Sequence, residues 1–538
     1  MRKIGFRRLG TMIDCSRNAV MKVETIKKWI DLTTDIGYNT LMLYTEDTWE
    51  VKEQPYFGYG RGRYSAAELR EINDYAKRQG MEVIPCIQTL AHLNAITRWP
   101  VYQRHIDIAD ILLAGDEEVY RLIDNMFATI SECFDSKYVN VGMDEAVLVG
   151  RGKYYDLHGD IDRTQILLEH ICKVSEIGKR YGLTLCMWSD MFYRLTVGDY
   201  YDSNAPIRKD VKDMIPDNVE LIYWDYYNTE FEHYDAMLES HEKLVDNVWF
   251  AGGFWSWIGF TPRNKYSIEA TKAALKACKK HEVKDIFFTL WGDNGGECSK
   301  FAVLPAVFYA SEVAKGNTDE VLIHKKFEDK YGVSWDDFML LDLPDEPNGD
   351  MHIDRHNPEK YLLYNDLFRG IADSTLQGGE GELFALCAHK LQKVPKNDQW
   401  GYLFDTQTAL CEVLSVKAEL GLKTREVYRL GNKEKLAAII EDYCILEKKL
   451  DILYETFCVQ WYRENKGHGF DVQDIRLGGL KQRVCHCRKI LEDYLAGNIE
   501  QIEELEEKLL DYEGNGEVFS KKPVLINVWQ EMVTTNVV

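Results

Sequence analysis

KYVNVGMDEAVLVG, residues 137–150, runs from a short apolar stretch straight into two adjacent carboxylates, Asp144 and Glu145. Within it YVNVGMDE (138–145) has the composition of a strand buried on both faces, so the acid pair falls where that strand ends. Seven further runs share the pattern: LGTMIDCS (9–16), NTLMLYTE (39–46), EVIPCIQT (82–89), TLCMWSDM (184–191), ELIYWDYY (220–227), NVWFAGGFW (247–255) and DIFFTLWG (285–292). Helical patterns separate most of them, among them ETIKKWIDLTTDIG, AAELREINDYAKRQG, VYRLIDNMFATISECF and SIEATKAALKACKKH; two of these stop at a glycine, as helix C-termini commonly do. Eight β/α units over about 310 residues predict an α/β fold, a (β/α)8 TIM barrel. An open doubly wound sheet needs a glycine-rich phosphate turn, and no GxGxxG or Walker A sequence opens a helix here.

Past residue 316 the strand pattern gives way to charged helical segments such as KEKLAAIIEDYCILEKKLDILYETF, which predict a mainly α-helical C-terminal domain. The expected organisation is a catalytic barrel over 1–316, a connecting segment over 317–360 and the helical domain over 361–538. The Pro- and acid-rich LLDLPDEPNGDMHIDRHNPEK (340–360) serves as the boundary loop. A chain of 538 residues is too long for one ordinary core and agrees with two domains.

Composition narrows the partners. A formal net charge of -23 without a basic stripe argues against nucleic acid and anionic membrane surfaces. No segment approaches about 18 uninterrupted apolar residues, and the N-terminal MRKIGFRRLG lacks the apolar core of a secretion signal. The 13 cysteines are scattered, many inside apolar runs (Cys86, Cys133, Cys186), and Cys485 with Cys487 has no second pair at zinc-site spacing. Buried free thiols in a reducing, cytoplasmic compartment are the expectation; a homodimer is possible, the acidic helical domain being suited either to pairing two subunits or to closing over the barrel mouth.

In a (β/α)8 barrel the site is built at the C-terminal ends of the strands. Those ends carry Asp14 and Arg17, Glu46 and Asp47, Gln88 and His92, Asp144 and Glu145, Trp188 and Asp190, Trp224 and Asp225, Trp255 and Trp257, and Trp291 and Asp293. Four of them bring a tryptophan, whose flat apolar face suits a sugar ring and whose N–H seeks a polar partner. Two neighbouring carboxylates cannot both stay ionised once water is excluded, so one can hold a proton near neutrality, as cleavage of a glycosidic bond requires. Neighbours on one strand do not span a scissile bond as an acid and a protein nucleophile do, about 5 to 5.5 Å apart. They suit an arrangement in which one protonates the leaving oxygen and the other holds a substrate group that attacks.

In this pattern VGMDEA matches the strand-four G-x-D-E of glycoside hydrolase family 20, the β-N-acetylhexosaminidases, and MIDCSRN matches its strand-one D-x-S-R. TLWGDN resembles the strand-eight W-G-E or W-G-D, and MWSDMF the strand-five W-x-E or W-x-D. Over residues 4 to 315 the chain resembles that family, and most its intracellular, hexosaminidase D-like branch. The resemblance implies an exo-acting, retaining enzyme without metal or organic cofactor, taking a small or oligosaccharide substrate with a terminal N-acetylhexosamine. The 2-acetamido oxygen of the sugar would attack its own anomeric carbon to give an oxazolinium ion. Glu145 would be the acid and then the base, and Asp144 would orient the acetamido N–H. Arg17 would bind ring hydroxyls, Asp293 the 4- or 6-hydroxyl, and Trp188, Trp224, Trp255 and Trp291 would wall the pocket. His92, with Asp47, would relay to Glu145. The family has a tyrosine near strand seven that donates to the acetamido oxygen; here GGFWSW puts Ser256 in that slot, and Tyr226 or Tyr227 is the substitute, Tyr226 sharing the alternation of Trp224. Two rival readings stay open: a retaining glycosidase with a protein nucleophile such as Asp190 or Asp225, and a non-catalytic sugar-binding protein.

Overall fold

The eight apolar runs form eight parallel strands in a computed structural model that describes residues 5–348 and 355–538. They are β1 (Arg8–Asp14), β2 (Thr40–Tyr44), β3 (Glu82–Cys86), β4 (Tyr138–Asn140), β5 (Thr184–Trp188), β6 (Val219–Trp224), β7 (Val248–Gly253) and β8 (Asp285–Leu290). Each pairs with its successor in the chain, and β8 returns to β1, closing the barrel. Met12 of β1 sits opposite Met42 of β2 on one side and Thr289 of β8 on the other. A short antiparallel ladder, Ile106–Ile108 with Ile111–Leu112, lies in the β3-to-β4 connection.

Strand residues are buried almost throughout, because a parallel barrel covers one face with helices and fills the other with its own side chains. Gly252 of β7 shows how tight the filling is: a Cβ there would stand 2.7 Å from the Phe288 ring of β8. At the N-terminal end of the barrel Arg8 closes the floor, pairing with Glu82 (2.8 Å) and Asp285 (3.2 Å) under the Tyr138 ring. The helices begin where the sequence offers caps: Ser65 and Glu68 form a reciprocal capping box on Ala66–Arg78, and Asp116 and Asp162 cap Glu117–Cys133 and Arg163–Arg180.

Every strand stops short of its apolar run. The run 138–145 has only Tyr138–Asn140 in the sheet, and Asp144 and Glu145 lie four and more residues beyond it. Backbone polar groups have to leave the ladder there, since Gly142, Met143 and Glu145 all take positive φ.

The chain forms two compact units, and their membership is not the linear succession expected from sequence. One contains the residues up to Phe254 with Ser267–Trp291 and Val307–Thr318; the other contains Trp255–Tyr266, Gly292–Ala306 and the chain from Asp319. The segments after β7 and β8 thus fold with the helical C-terminal part. Their polar groups explain why: Glu359 accepts from the Phe260 N–H (2.8 Å), Asp342 from Asn264 (2.9 Å), Glu346 from Arg263 (3.2 Å), and Arg476 pairs with Glu297 (2.9 Å). The segment 317–360 is not a plain connector, since it carries the helices Glu320–Tyr331 and Trp335–Met339. Residues 349–354 of the expected boundary loop lie outside the described residues. The second unit is otherwise helical, with Glu380–Gln392, Gly401–Lys417, Lys433–Glu464 and Phe470–Ala496 as its longest elements. No helix among the described residues is long and apolar enough to cross a membrane.

Candidate active site

Two residues past β4 the chain turns at Gly142, with φ of +73°, and a Cβ there would fall 2.0 Å from Gln88 Oε1. Only glycine lets Gln88 come this close. Gln88 accepts from the Met143 N–H (3.2 Å) and donates to Asp144 Oδ1 (2.8 Å) and to the Tyr44 hydroxyl (3.1 Å). His92 Nε2 stands 3.3 Å from Asp144 Oδ2, an ion-pair approach rather than an aligned hydrogen bond, and 3.6 Å from Glu145 Oε2.

The two acids of the pair have opposite environments. Asp144 is buried, while the Glu145 side chain is 49% exposed. Burial works against the Asp144 charge, but the His92 cation and the hydrogen bond from Gln88 outweigh it and hold the carboxyl below its usual range. His92 mirrors this: burial opposes its charge, Asp144 supports it, and its pKa rises to about 9. The argument that exclusion of water from both neighbours must raise one of them therefore does not apply, because only one is desolvated. Asp190, beside the pair, is pushed up to about 7 by complete burial and by the Asp144 charge. Asp190 Oδ2 accepts from the Glu145 N–H (3.0 Å) and pairs with Arg194 Nε (3.0 Å), and Arg194 reaches Glu145 Oε1 at 3.4 Å.

Strain concentrates here. Glu46, His92, Met143 and Glu145 all have positive φ, at +39°, +57°, +69° and +55°. Such residues persist where surrounding bonds over-determine them, and the Asp190–Glu145 and Gln88–Met143 bonds do that.

Arg17 reaches into the same mouth from the turn after β1. Asp14 holds its Nη1 (3.0 Å), Glu46 lies 3.3 Å from its Nε, and its guanidinium lies 5.2 Å from the ring centroids of Tyr44 and Trp291. Trp291 meets Tyr44 edge-on at 4.7 Å and Trp188 at 6.1 Å. The Trp291 side chain also hydrogen-bonds Tyr226, whose hydroxyl burial pushes well above the usual range and which feels the Asp144 charge. Tyr226 stacks on Trp224 (5.3 Å, 19°). One continuous set of contacts thus joins Arg17, His92, Asp144, Glu145, Trp188, Trp224, Tyr226 and Trp291. Tyr227 turns its N–H to Asp225 (2.9 Å).

Asp47 is engaged by Arg61 (3.3 Å); the strand-two acid whose field reaches His92 is Glu46, because the left-handed turn at Glu46 carries the next residue away from the mouth. Trp255 belongs to the second unit, stacked on Trp257 (4.5 Å, 26°) with its carbonyl accepting from the Arg263 N–H (3.0 Å). Asp293 also belongs to that unit, half-buried, its carbonyl accepting from the Gly295 N–H (2.9 Å). Ser256 is there too and accepts from Lys300 (3.2 Å). Asp225 has its oxygens filled by Tyr223, Tyr227, Asn228 and His233, which suits a structural anchor and not a nucleophile. Sequence reasoning overlooked Tyr44, the bonding role of Gln88, and Arg194; the last was legible as the i+4 partner of Asp190 on helix Asp190–Val197.

Comparison with known proteins identifies the family. Residues 6–283 match the glycosyl hydrolase family 20 catalytic domain, and residues 336–523 match the glycoside hydrolase 20C C-terminal domain. The chain is 25% identical to Hexosaminidase D of Bos taurus over 257 residues, 45% of this chain and 68% of that protein. It is 23% identical to Hexosaminidase D of Homo sapiens over 238 residues, 43% of this chain and 45% of that protein, so it spans less than half the length of the human relative. Among solved structures, the β-N-acetylhexosaminidase from Bacteroides fragilis is 21% identical with a TM-score of 0.47, covering 61% of this chain and 70% of that one. The catalytic-domain match takes in more than half of the residues, including every member of the connected set except Trp291, and on that ground the chain belongs to glycosyl hydrolase family 20.

Proposed function

We propose that this glycoside hydrolase is an exo-acting β-N-acetylhexosaminidase that removes terminal GlcNAc or GalNAc with retention, the substrate's own acetamido group serving as nucleophile. The observation that carries the reading is the division between the two adjacent acids. Asp144 is buried and kept ionised by His92 and Gln88, as a group must be that accepts the acetamido N–H and balances a developing positive charge. Glu145 is exposed beside it, where the leaving group and later a water can reach it. In the first step the acetamido oxygen bonds to the anomeric carbon, the glycosidic C–O bond breaks, and the Glu145 proton goes to the departing oxygen. In the second, water attacks the same carbon, its proton returns to Glu145, and the oxazolinium ring opens. Tyr226, near Asp144 and held by Trp291, is the donor assigned to the acetamido oxygen. Trp188, Trp224 and Trp291 supply apolar faces for the ring, and Arg17 a two-pronged donor for its hydroxyls. Trp255 and Asp293 keep their proposed roles as pocket wall and hydroxyl acceptor. No disulfide joins cysteines among the described residues and most of their side chains are buried, which supports a cytoplasmic setting.

The test compares nitrophenyl GlcNAc with nitrophenyl glucoside and adds GlcNAc-thiazoline, a mimic of the cyclised intermediate. Cleavage confined to the N-acetyl sugar with tight thiazoline inhibition is the expected result. Equal cleavage of the glucoside without inhibition assigns the nucleophile to a protein carboxylate, with Asp190 the first to examine; sugar binding without turnover identifies a non-catalytic binder.

A further inference from the structure

The connections after β2 and β3 lie at the same end of the barrel as Glu46, His92 and Glu145, as every loop that follows a barrel strand does. Residues 49–64 make the first of them a compact loop whose ends meet: Glu50 donates its N–H to the Tyr64 carbonyl (2.8 Å), and Tyr64 donates its own to Thr48 (2.9 Å). The inner rings of this loop are buried. Trp49 meets Phe57 edge-on at 6.2 Å, Phe57 meets Tyr102 at 6.4 Å, and the Trp49 indole N–H donates to the Glu46 carbonyl (3.1 Å). Gly58, at a φ of +66°, sits where a Cβ would fall 2.0 Å from the Asp47 carbonyl oxygen, and Arg63 donates to the carbonyls of Pro55 (3.1 Å) and Phe57. The loop is thereby fixed beside the β2 end of the mouth.

On this support a second aromatic set faces solvent. Tyr56 and Tyr59 are 49% and 61% exposed, and both touch the half-buried Trp99 of the β3 connection, with ring centroids 5.5 Å and 5.6 Å away. Apolar residues scattered singly over a surface need no explanation, but three rings brought together from two loops do. Packing among themselves does not supply it: the tyrosine rings stand at 43° and 69° to Trp99, so their faces stay open instead of closing on one another. Neither tyrosine hydroxyl nor the Trp99 indole N–H has a hydrogen-bond partner among the described residues. Open aromatic faces with unused polar groups at their edges suit a stacked pyranose ring, whose face is apolar and whose rim carries hydroxyls.

The place of the rings points to the same ligand. Trp99 follows His92 by seven residues, and Asn94–Arg98 between them form a 3-10 turn, so the two are no more than about 20 Å apart. His92 stands 3.6 Å from Glu145 Oε2, the group assigned to the leaving oxygen. A chain that departs past Glu145 on the His92 side therefore runs toward these rings. Arg61 is paired with Asp47, Arg63 is held by backbone carbonyls, and the net charge is -23, which favours a neutral chain over an acidic one.

We propose that Tyr56, Tyr59 and Trp99 form a stacking platform for sugars on the leaving-group side of the scissile bond, and that the substrate is a neutral oligosaccharide long enough to reach it. This rests on Glu145 as the acid, since that reading fixes where the leaving group lies.

The test titrates the full chain carrying Glu145→Gln, by calorimetry, with GlcNAc and with the β-1,4-linked GlcNAc tetramer. The tetramer is expected to bind at least about tenfold more tightly than the monosaccharide. Trp99→Ala and Tyr59→Ala, each in that background, weaken tetramer binding by about tenfold while GlcNAc binding shifts by less than about twofold, and Trp99→Phe, which keeps a ring, retains most of the preference. An unchanged thermal midpoint shows that each variant is folded. Equal affinity for the two ligands, or a tetramer affinity unmoved by either alanine, overturns the proposal. So does an equal loss for both ligands, which makes the rings supports of the mouth, or a change in sedimenting mass without a change in tetramer binding, which gives them to a protein contact. Hydrolysis of nitrophenyl GlcNAc by the chain with Glu145 intact is a separate reading: its absence defeats the hydrolase assignment, while the titration still decides the platform.

Discussion

Asp144 and Glu145 share a peptide bond and nothing else of their surroundings, and the difference sets what each substitution should do. Asp144→Asn keeps the shape but removes the charge that the proposed mechanism sets against the acetamido nitrogen; kcat on nitrophenyl GlcNAc should fall by about 10²- to 10³-fold, with a smaller change in KM. Glu145→Gln removes the proposed proton carrier, and kcat/KM should fall by about 10²- to 10⁴-fold on an alkyl glycoside but less on the nitrophenyl one, whose leaving group needs little protonation. His92 makes the pair sensitive to pH. Its folded pKa of about 9 lies above the ordinary 6.5, so its ion pair with Asp144 contributes stability that is fully present below about pH 6.5 and is lost as pH rises through about 9. The wild-type melting temperature should fall across that window while kcat/KM declines on an alkaline limb. In His92→Gln the stability slope should flatten, as paired thermal scans at pH 6.5 and 9.5 will show.

At the scale of elements, the barrel strands stop where their residues are needed as a site. The run after β4 leaves the sheet at Asn140 and passes through a left-handed turn to present Asp144 inward and Glu145 outward. Gly142→Ala adds a Cβ 2.0 Å from Gln88 Oε1 at a φ of +73°. It should cost about 1–3 kcal/mol in urea unfolding and, by moving Gln88 off Asp144, should lower kcat as well. Ser65→Ala is the contrasting case: it removes a capping box whose bonds run only between Ser65 and Glu68, and should cost about 1 kcal/mol with kcat unchanged. The strand count and most helix starts were legible because burial on both faces and capping chemistry are local properties. The strand ends were not, because an apolar residue that continues a strand and one that lines a mouth look alike in sequence.

At the scale of the whole molecule, the two units exchange sequence. The segment Trp255–Tyr266 carries Phe260, Arg263 and Asn264, whose partners Glu359, Glu346 and Asp342 all come from beyond residue 319. A chain cut after Thr318 keeps every barrel strand yet strands a buried guanidinium and several buried backbone and amide groups, each costly to leave unpaired. Such a fragment should be recovered as aggregate, and it should show no hydrolysis, when its soluble yield is compared with that of the full chain. A linear division at residue 316 follows the change of pattern in the sequence but not the distribution of these partners.

What the sequence by itself determined is everything that depends on neighbours along the chain: eight strands, their helices, and the polar and aromatic residues that follow the strands, the adjacent acids Asp144 and Glu145 among them. The tertiary structure alone decided which of two adjacent carboxylates would be buried, that Asp144 would be held below and Asp190 above the ordinary carboxylate range, and that the field of Glu46 would reach His92. It also decided that the segments after β7 and β8 would fold with the helices. The physical reason is common to all of these. Desolvation and Coulomb energy depend on what surrounds a group in space, and those surroundings come from residues tens to hundreds of positions away.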